Sequence, residues 1–253
     1  MSTQRKKFDL DSPEAGPLSH EIMHGAFMTE GTMVAFATCF PGATVPIVAD
    51  EGLITALDIT PAGIVHGGTS GKKVHLFAGA FHGVTGAVFD LATVEGAEHC
   101  VAVCCGSGNL IAAVNGPKGG RLLRAVLNSM GSDMIQEWGF SRPTVEDLGE
   151  VVAGEPLVHA VAIKDTVIGA TTRHLFTAGT ESGKPQTVGE VTGAGRLGVS
   201  GTGVYGLDGT THLWRYDTAN GQLLRKAVTL PAGTWGGPLI WSRGGRDGVL
   251  YTA

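Results

Sequence analysis

A short apolar strand, a turn carrying Gly or Asp, a second strand and a third strand reading His-Leu-aromatic follow one another repeatedly in this chain. The pattern is plainest in LITALDITPAGIVHGGTSGKKVHLF from Leu53, in LVHAVAIKDTVIGATTRHLF from Leu157 and in RLGVSGTGVYGLDGTTHLW from Arg196. Repetition on this scale constrains a fold more than local propensity does. Each unit is too small to bury its own apolar face and must stack on its neighbours.

The second strands set the register. They begin near Ile64, Ile111, Val167, Val204 and Leu250, at intervals of 37 to 56 residues. First strands lie upstream as LITALDI, CVAVCCG, LVHAVAI, RLGVS and PLIWSR, and third strands lie downstream as VHLF, RLLR, RHLF and THLW. Fourth strands are predicted around Val88 to Leu91, Asp147 to Val151, Thr187 to Val191 and Leu223 to Val228. The fifth copy stops after its second strand, while GTMVAFATCF and TVPIVADEG near the N-terminus supply two further strands, with Phe36 in the aromatic column of Phe77, Phe176 and Trp214. Pairing the two ends removes exposed sheet edges. The expected fold is therefore all-β: a five-bladed β-propeller whose last blade is closed by N-terminal and C-terminal strands. A ring completed by a partner chain or a second copy is the competing reading. Residues 1–30 read as an N-terminal arm and 31–253 as the propeller domain, with an insertion at 125–145 in one blade.

Composition narrows the function classes. Forty glycines and 16% charged residues in 253 positions suit a turn-rich globular protein. A net charge of -5 without a Lys/Arg stripe excludes a nucleic-acid binder, and Arg5-Lys6-Lys7 reads as part of a solvated arm. No apolar run approaches a membrane span, and the N-terminal MSTQRKKFDLDSPEAG lacks signal-peptide organisation, so a cytoplasmic protein is expected. Cys39, Cys100, Cys104 and Cys105 form neither a disulfide framework nor a zinc ribbon and are expected as reduced thiols.

The strand pattern resembles propellers with YVTN-like or quinoprotein-like blades, from about residue 30 onward. The WD dipeptide and Gly-His signature of WD40 blades are absent. The resemblance implies fold, because proteins of this blade type include lyases, lactonases, dehydrogenases and binding scaffolds.

Loops entering the first strands are expected to open on one face around the axis. The polar residues expected there are Glu51, Glu98, His99, Glu155, His159, Arg196 and Trp235, where a concave pocket holds small ligands. Thr55, Val101, His159 and Arg196 are predicted to share one column, making His159 and Arg196 neighbours. A guanidinium beside an imidazole disfavours its protonation. His159 then reads as a neutral base, with Arg196 steadying an anion, and both are the catalytic candidates. Glu51, Glu98, His99, Glu155 and Trp235 are the substrate-binding candidates. The structural alternative has His159 bonding a neighbouring blade and Arg196 pairing with Glu155.

Other motifs carry less. The insertion AVLNSMGSDMIQEWGFSRPTV holds Trp138 and Phe140, candidates for partner contact, and its 133–138 portion reads as a short helix; the alternative is a flap covering its own blade. His75, His174 and His212, with Arg121 in the matching place of the second copy, sit on third strands too far apart to share one metal ion and are expected as polar caps. His20-Glu21-Ile22-Met23-His24 matches H-E-x-x-H, but Pro17 and Gly25 flank it closely, so His20 and His24 are candidates for a metal site without protease activity. His99-Cys100 with Cys104-Cys105 is a further candidate ligand cluster, weakened by strand alternation. GGTSGKK and GPKGG lack phosphate-loop spacing and read as hairpin turns.

Two functions remain open. One is a non-catalytic recognition or scaffold subunit binding another protein or a second copy. The other is a small-molecule lyase or hydrolase for a carbohydrate or acidic substrate, with His159 and Arg196 in the axial pocket. Nothing in the sequence points to a particular cofactor.

Overall fold

The computed structural model describes residues 26–29, 32–35, 53–60, 63–82, 85–127, 143–181, 183–191 and 195–231. For 26–29, 32–35, 80–82 and 85–90 the description is of the backbone alone. The described residues are all-β, with four four-stranded antiparallel sheets and one two-stranded hairpin. Sheet I runs β3(Leu53–Ile59), β4(Val65–Ser70), β5(Val74–His82) and β6(Thr85–Val94). Sheet II runs β7(His99–Gly106), β8(Asn109–Gly116), β9(Gly119–Val126) and β10(Thr144–Glu150). Sheet III runs β11(Leu157–Ile163), β12(Thr166–Thr171), β13(His174–Gly179) and β14(Gln186–Glu190). Sheet IV runs β15(Gly198–Ser200), β16(Gly203–Asp208), β17(His212–Asp217) and β18(Gln222–Thr229). Within each sheet, consecutive strands are spatial neighbours. The four complete copies expected from sequence are these four sheets. The hairpin β1(Ala26–Thr29) with β2(Thr32–Ala35) straddles position 30, the expected boundary of the N-terminal arm.

Hairpin chemistry explains the tight turns. Between β7 and β8, Ser107 and Gly108 have φ of 48° and 75°, the two left-handed positions of a type I′ turn that suits strand twist. The insertion leaves and re-enters sheet II through the paired ends of β9 and β10, where Thr144 faces Val126 and Val145 faces Ala125. Trp138 and Phe140 lie outside the described residues, as does the short helix expected there.

The sheets stack in chain order through separate apolar layers. Leu76, Leu91 and Val74 of sheet I meet Cys100, Leu110 and Val114 of sheet II. Ile111 and Leu122 of sheet II meet Leu157, Val167 and Phe176 of sheet III. Ile168 and Leu175 of sheet III meet Val204, Trp214 and Tyr216 of sheet IV. Each layer removes several large side chains from water, which is the main stabilisation available to sheets of this size.

A glycine lies under the ring wherever the third strand carries an aromatic. Gly67 faces Phe77, Gly169 faces Phe176, and Gly206 faces Trp214 across β4–β5, β12–β13 and β16–β17. A Cβ on any of these glycines would lie 2.2 Å from a ring atom. Sheet II carries Leu123 in the aromatic position, and its cross-strand partner is Ala112. Size is therefore exchanged within the pair. GGTSGKK accordingly differs from the expected turn: Gly67 and Gly68 lie inside β4, under Phe77 and against Cys100, and the bend falls at 71–73.

One side of the stack is uncovered among the described residues. Leu53, Ile54, Leu57 and Ile59 of β3 are 67%, 57%, 61% and 52% exposed. At positions equivalent to Leu57 and Ile59, Val103 and Cys105 of β7 pack against sheet I. No helix among the described residues is long and apolar enough to cross a membrane.

Candidate functional site

The first strand of every sheet contributes to one cavity. Its walls are Leu57 and Asp58 from β3, Val103 and Cys104 from β7, His159 to Ala162 from β11, and Arg196, Leu197 and Val199 at β15. Its volume is about 190 Å³. A second cavity of about 180 Å³ shares Leu57, Val103, His159 and Arg196 and continues toward Thr55 and Val101.

The expected column of Thr55, Val101, His159 and Arg196 is offset by one residue in two strands. Register shifts fall between Ile54 and Ala56, between Cys100 and Ala102, and between Leu157 and His159. The bulged residues are thus Thr55, Val101 and Val158. Counting from the bulge, or back from the following hairpin, Ala56, Ala102, His159 and Arg196 share the position. His159 and Arg196 remain successive members of it.

Interlocking hydrogen bonds position these strands. Thr55 Oγ1 donates to the Cys100 carbonyl at 2.7 Å, and the Cys100 amide donates to Ser70 Oγ at 3.2 Å, joining sheets I and II. Asn115 Nδ2 donates to the Leu157 carbonyl, and the Leu157 amide donates to Asn115 Oδ1, each at 2.8 Å. That clamp holds β11 just before the bulge that delivers His159. The Leu197 amide donates to His159 Nδ1 at 3.2 Å, joining sheets III and IV.

The last bond determines what His159 can do. Burial, reinforced by the Arg196 guanidinium, lowers its pKa to about 4, so the ring is neutral near pH 7. With Nδ1 accepting, the neutral tautomer carries its proton on Nε2. His159 therefore offers a donor, whereas the proton abstraction considered from sequence needs an acceptor. Arg196 is exposed, lines both cavities and has no ion-pair partner among the described residues.

Glu155 serves sheet III instead. It accepts from Thr171 Oγ1 at 2.6 Å, meets His174 Nδ1 at 3.0 Å, and pairs with Arg173 at 2.7 Å. The Thr171 hydroxyl, then His174 and Arg173, hold its carboxyl at about 2 against the opposing effect of burial. Pairing of Glu155 with Arg196, the structural alternative, is not what forms. Glu98 and His99 are exposed at the start of β7 and do not line either cavity. Glu51, Trp235, His20 and His24 lie outside the described residues.

The third-strand histidines have separate local partners. His75 Nδ1 meets Thr93 Oγ1, His174 meets Glu155, and His212 Nδ1 meets Thr211 Oγ1, while Arg121 pairs with Asp147. Among the described residues no group of three or more His, Cys, Asp or Glu is arranged to hold a metal ion.

Sequence reasoning missed Asp58 and its cluster. Asp58 accepts from the amides of Ile59 at 2.9 Å and Cys105 at 3.2 Å, and Cys105 Sγ lies 3.3 Å from Nδ1 of His66, the cross-strand partner of Asp58. Burial, with a smaller effect from Asp58, pushes the Cys105 thiol to about 12, and burial lowers His66 against the opposing Asp58 charge. The pair is a neutral thiol beside a neutral imidazole. Only alternation across the β3–β4 hairpin could have signalled it.

Comparison with solved structures returns distant likenesses. A Bacteroides uniformis protein assigned as a 6-phosphogluconolactonase matches with a TM-score of 0.53 at 15% identity, over 78% of this chain and 63% of its own. The fold is propeller-like. Apo AztD from Citrobacter koseri gives a TM-score of 0.47 at 12% identity, over 80% of this chain and 51% of its own. The computationally designed Ika8 protein gives 0.44 at 14% identity, over 79% of this chain and 57% of its own. The chain thus spans between half and two thirds of the length of each of these three. No family model matches it, and no curated protein matches it.

Proposed function

We propose that this chain is a recognition module without catalytic chemistry, whose axial cavity binds a small organic anion through Arg196 and His159. The observation that carries the reading is the Leu197 amide on His159 Nδ1. It makes the neutral imidazole a donor beside an exposed guanidinium, and two neighbouring donors suit binding of a carboxylate better than proton abstraction by the imidazole. Glu155, the carboxylate expected nearest this pair, is engaged by Thr171, Arg173 and His174. Glu155 is thereby committed to sheet III rather than offered as a base to a lyase or hydrolase.

The proposed frame is five blades, the fifth assembled from residues 238–253 and the N-terminal strands. The uncovered Leu57 and Ile59 support it, because their counterparts on β7 are packed against a preceding sheet. The insertion with Trp138 and Phe140 is the surface proposed for a protein partner.

Calorimetric titration with straight-chain and branched carboxylates at pH 7 tests the anion site. The Arg196→Gln protein should lose at least tenfold in affinity, with its melting temperature unchanged because Arg196 is exposed. Equal affinity in both proteins would overturn the proposal.

A further inference from the structure

The cavity is walled by strand edges. β3, β7, β11 and β15 each stand at the end of the strand order of their own sheet, so each is hydrogen-bonded along one side only. Neighbouring residues on a strand send their side chains to opposite faces, and a cavity lined by one face would take every second residue. His159, Ala160, Val161 and Ala162 line the 190 Å³ cavity consecutively. β11 is therefore presented to it edge-on. Its pairing with β12 is regular from His159 to Ile163, past the bulge at Val158, and among the described residues the backbone of 160–162 has no partner outside sheet III. His159, Val161 and Ala162 are half-buried, which leaves this edge accessible.

An unpaired edge selects its occupant. In an antiparallel strand every second residue turns its N–H and C=O away from the partner strand, so these groups recur about every 7 Å along β11. A hydrocarbon chain would cover them without bonding them, which costs their desolvation. A sugar acid carries its hydroxyls on adjacent carbons, at less than half that interval. An extended peptide repeats the interval, and its terminal carboxylate suits the guanidinium of Arg196 and the Nε2 proton of His159. Asp58, also on this cavity, is engaged by the Ile59 and Cys105 amides. From His159 to Ala162 the edge runs about 10 Å, enough for about three extended residues. Resting on the anion-site reading above, we infer that the axial cavity holds the C-terminus of an extended peptide, its carboxylate at Arg196 and His159 and its last residues added antiparallel to β11 toward Ala162.

Four probes separate the contributions in the unaltered protein. They are acetyl-Ala-Ala-Val as the free acid, its C-terminal amide, the free acid methylated at all three amide nitrogens, and 3-methylbutanoate, which keeps only the carboxylate and the last side chain. Calorimetry at pH 7 should show the free acid binding at least tenfold more tightly than each of the others. Arg196→Gln should bring the free acid down to the affinity of the amide. Hydrogen exchange within 160–162 should slow at least tenfold at saturation with the free acid and stay unchanged with the methylated peptide. If 3-methylbutanoate or the methylated peptide binds as tightly as the free acid, the peptide inference fails while the anion site stands. If the amide binds as tightly as the free acid, or no probe binds, the anion site fails with it.

Discussion

The backbone amide of Leu197 donates to Nδ1 of His159 at 3.2 Å, so the approach to β15 is tied to the first strand of the preceding sheet through a side chain that also lines the cavity. Site and inter-sheet contact are thus one structure. Protonating the ring would break the bond and place a cation beside Arg196.

Stability should therefore depend on His159 protonation. Its pKa is 6.5 ordinarily and about 4 in the folded chain. Between these values the unfolded state binds more protons, so stability falls as pH is lowered from 6.5 toward 4. The size is at most about 3 kcal/mol for a shift of this order, and less for a half-buried ring. His66, also depressed, acts in the same direction. Gln can accept from Leu197 without titrating, so His159→Gln should show a flatter profile of melting temperature against pH between 4 and 6.5 than the unaltered protein. Identical profiles would remove His159 from the account.

The Glu155 network acts in a more acidic window. Its pKa is lowered from 4.5 to about 2, so its stabilisation is present above pH 4.5 and is lost as pH falls toward 2. Glu155→Gln should destabilise by about 1–3 kcal/mol at pH 7 in urea unfolding, chiefly through the buried Thr171 hydroxyl and His174. Arg173 is 74% exposed and should contribute little, so Arg173→Ala should be close to neutral. A larger loss for Arg173→Ala than for Glu155→Gln would reverse this assignment.

The three β7 thiols should be inert. Cys100 and Cys105 are pushed to about 12 and Cys104 well above its ordinary value, in each case first by burial. In a Cys39→Ser background, iodoacetamide at pH 8 should modify them on the order of 10³-fold more slowly than a free cysteine, with full labelling after denaturation. Rapid labelling of Cys105 in the native protein would show that His66 activates it.

The glycine beneath the aromatic is a steric requirement. Gly169→Ala places a methyl 2.2 Å from the Phe176 ring and should cost about 1–3 kcal/mol by overpacking. Combining it with Phe176→Leu recreates the Ala112 and Leu123 pair of sheet II. The double variant should recover part of the loss caused by Gly169→Ala alone. Strictly additive destabilisation in unfolding experiments would show that the pair is not coupled.

Strand identity is legible from sequence because alternation and turn residues are local signals, and β3 and β11 begin and end where LITALDI and LVHAVAI do. Residue columns are harder to read. A bulge adds one residue to β3, β7 and β11 without any compositional mark, so Thr55 and Val101 leave the position that His159 keeps. The proximity of His159 to Arg196 survives because the count from their hairpins is unaffected. Asp58, His66 and Cys105 escape notice because their association joins two sheets, with 47 and 39 residues separating Cys105 from its partners. Glu155 is misjudged for a simpler reason. A carboxylate in an entry loop can face the axis or turn back on its own sheet, and here Thr171, Arg173 and His174 all lie on the turning-back side.

The glycine-aromatic pairs also bear on how such a chain can diverge. Replacing the ring alone leaves a void, and replacing the glycine alone forces a clash, so every single step away from Gly169 and Phe176 passes through a less stable protein. The Ala112 and Leu123 arrangement is a second solution separated from the first by that valley. Repeats built this way inherit the two positions as one character, and divergence between blades is expected to proceed by paired exchange.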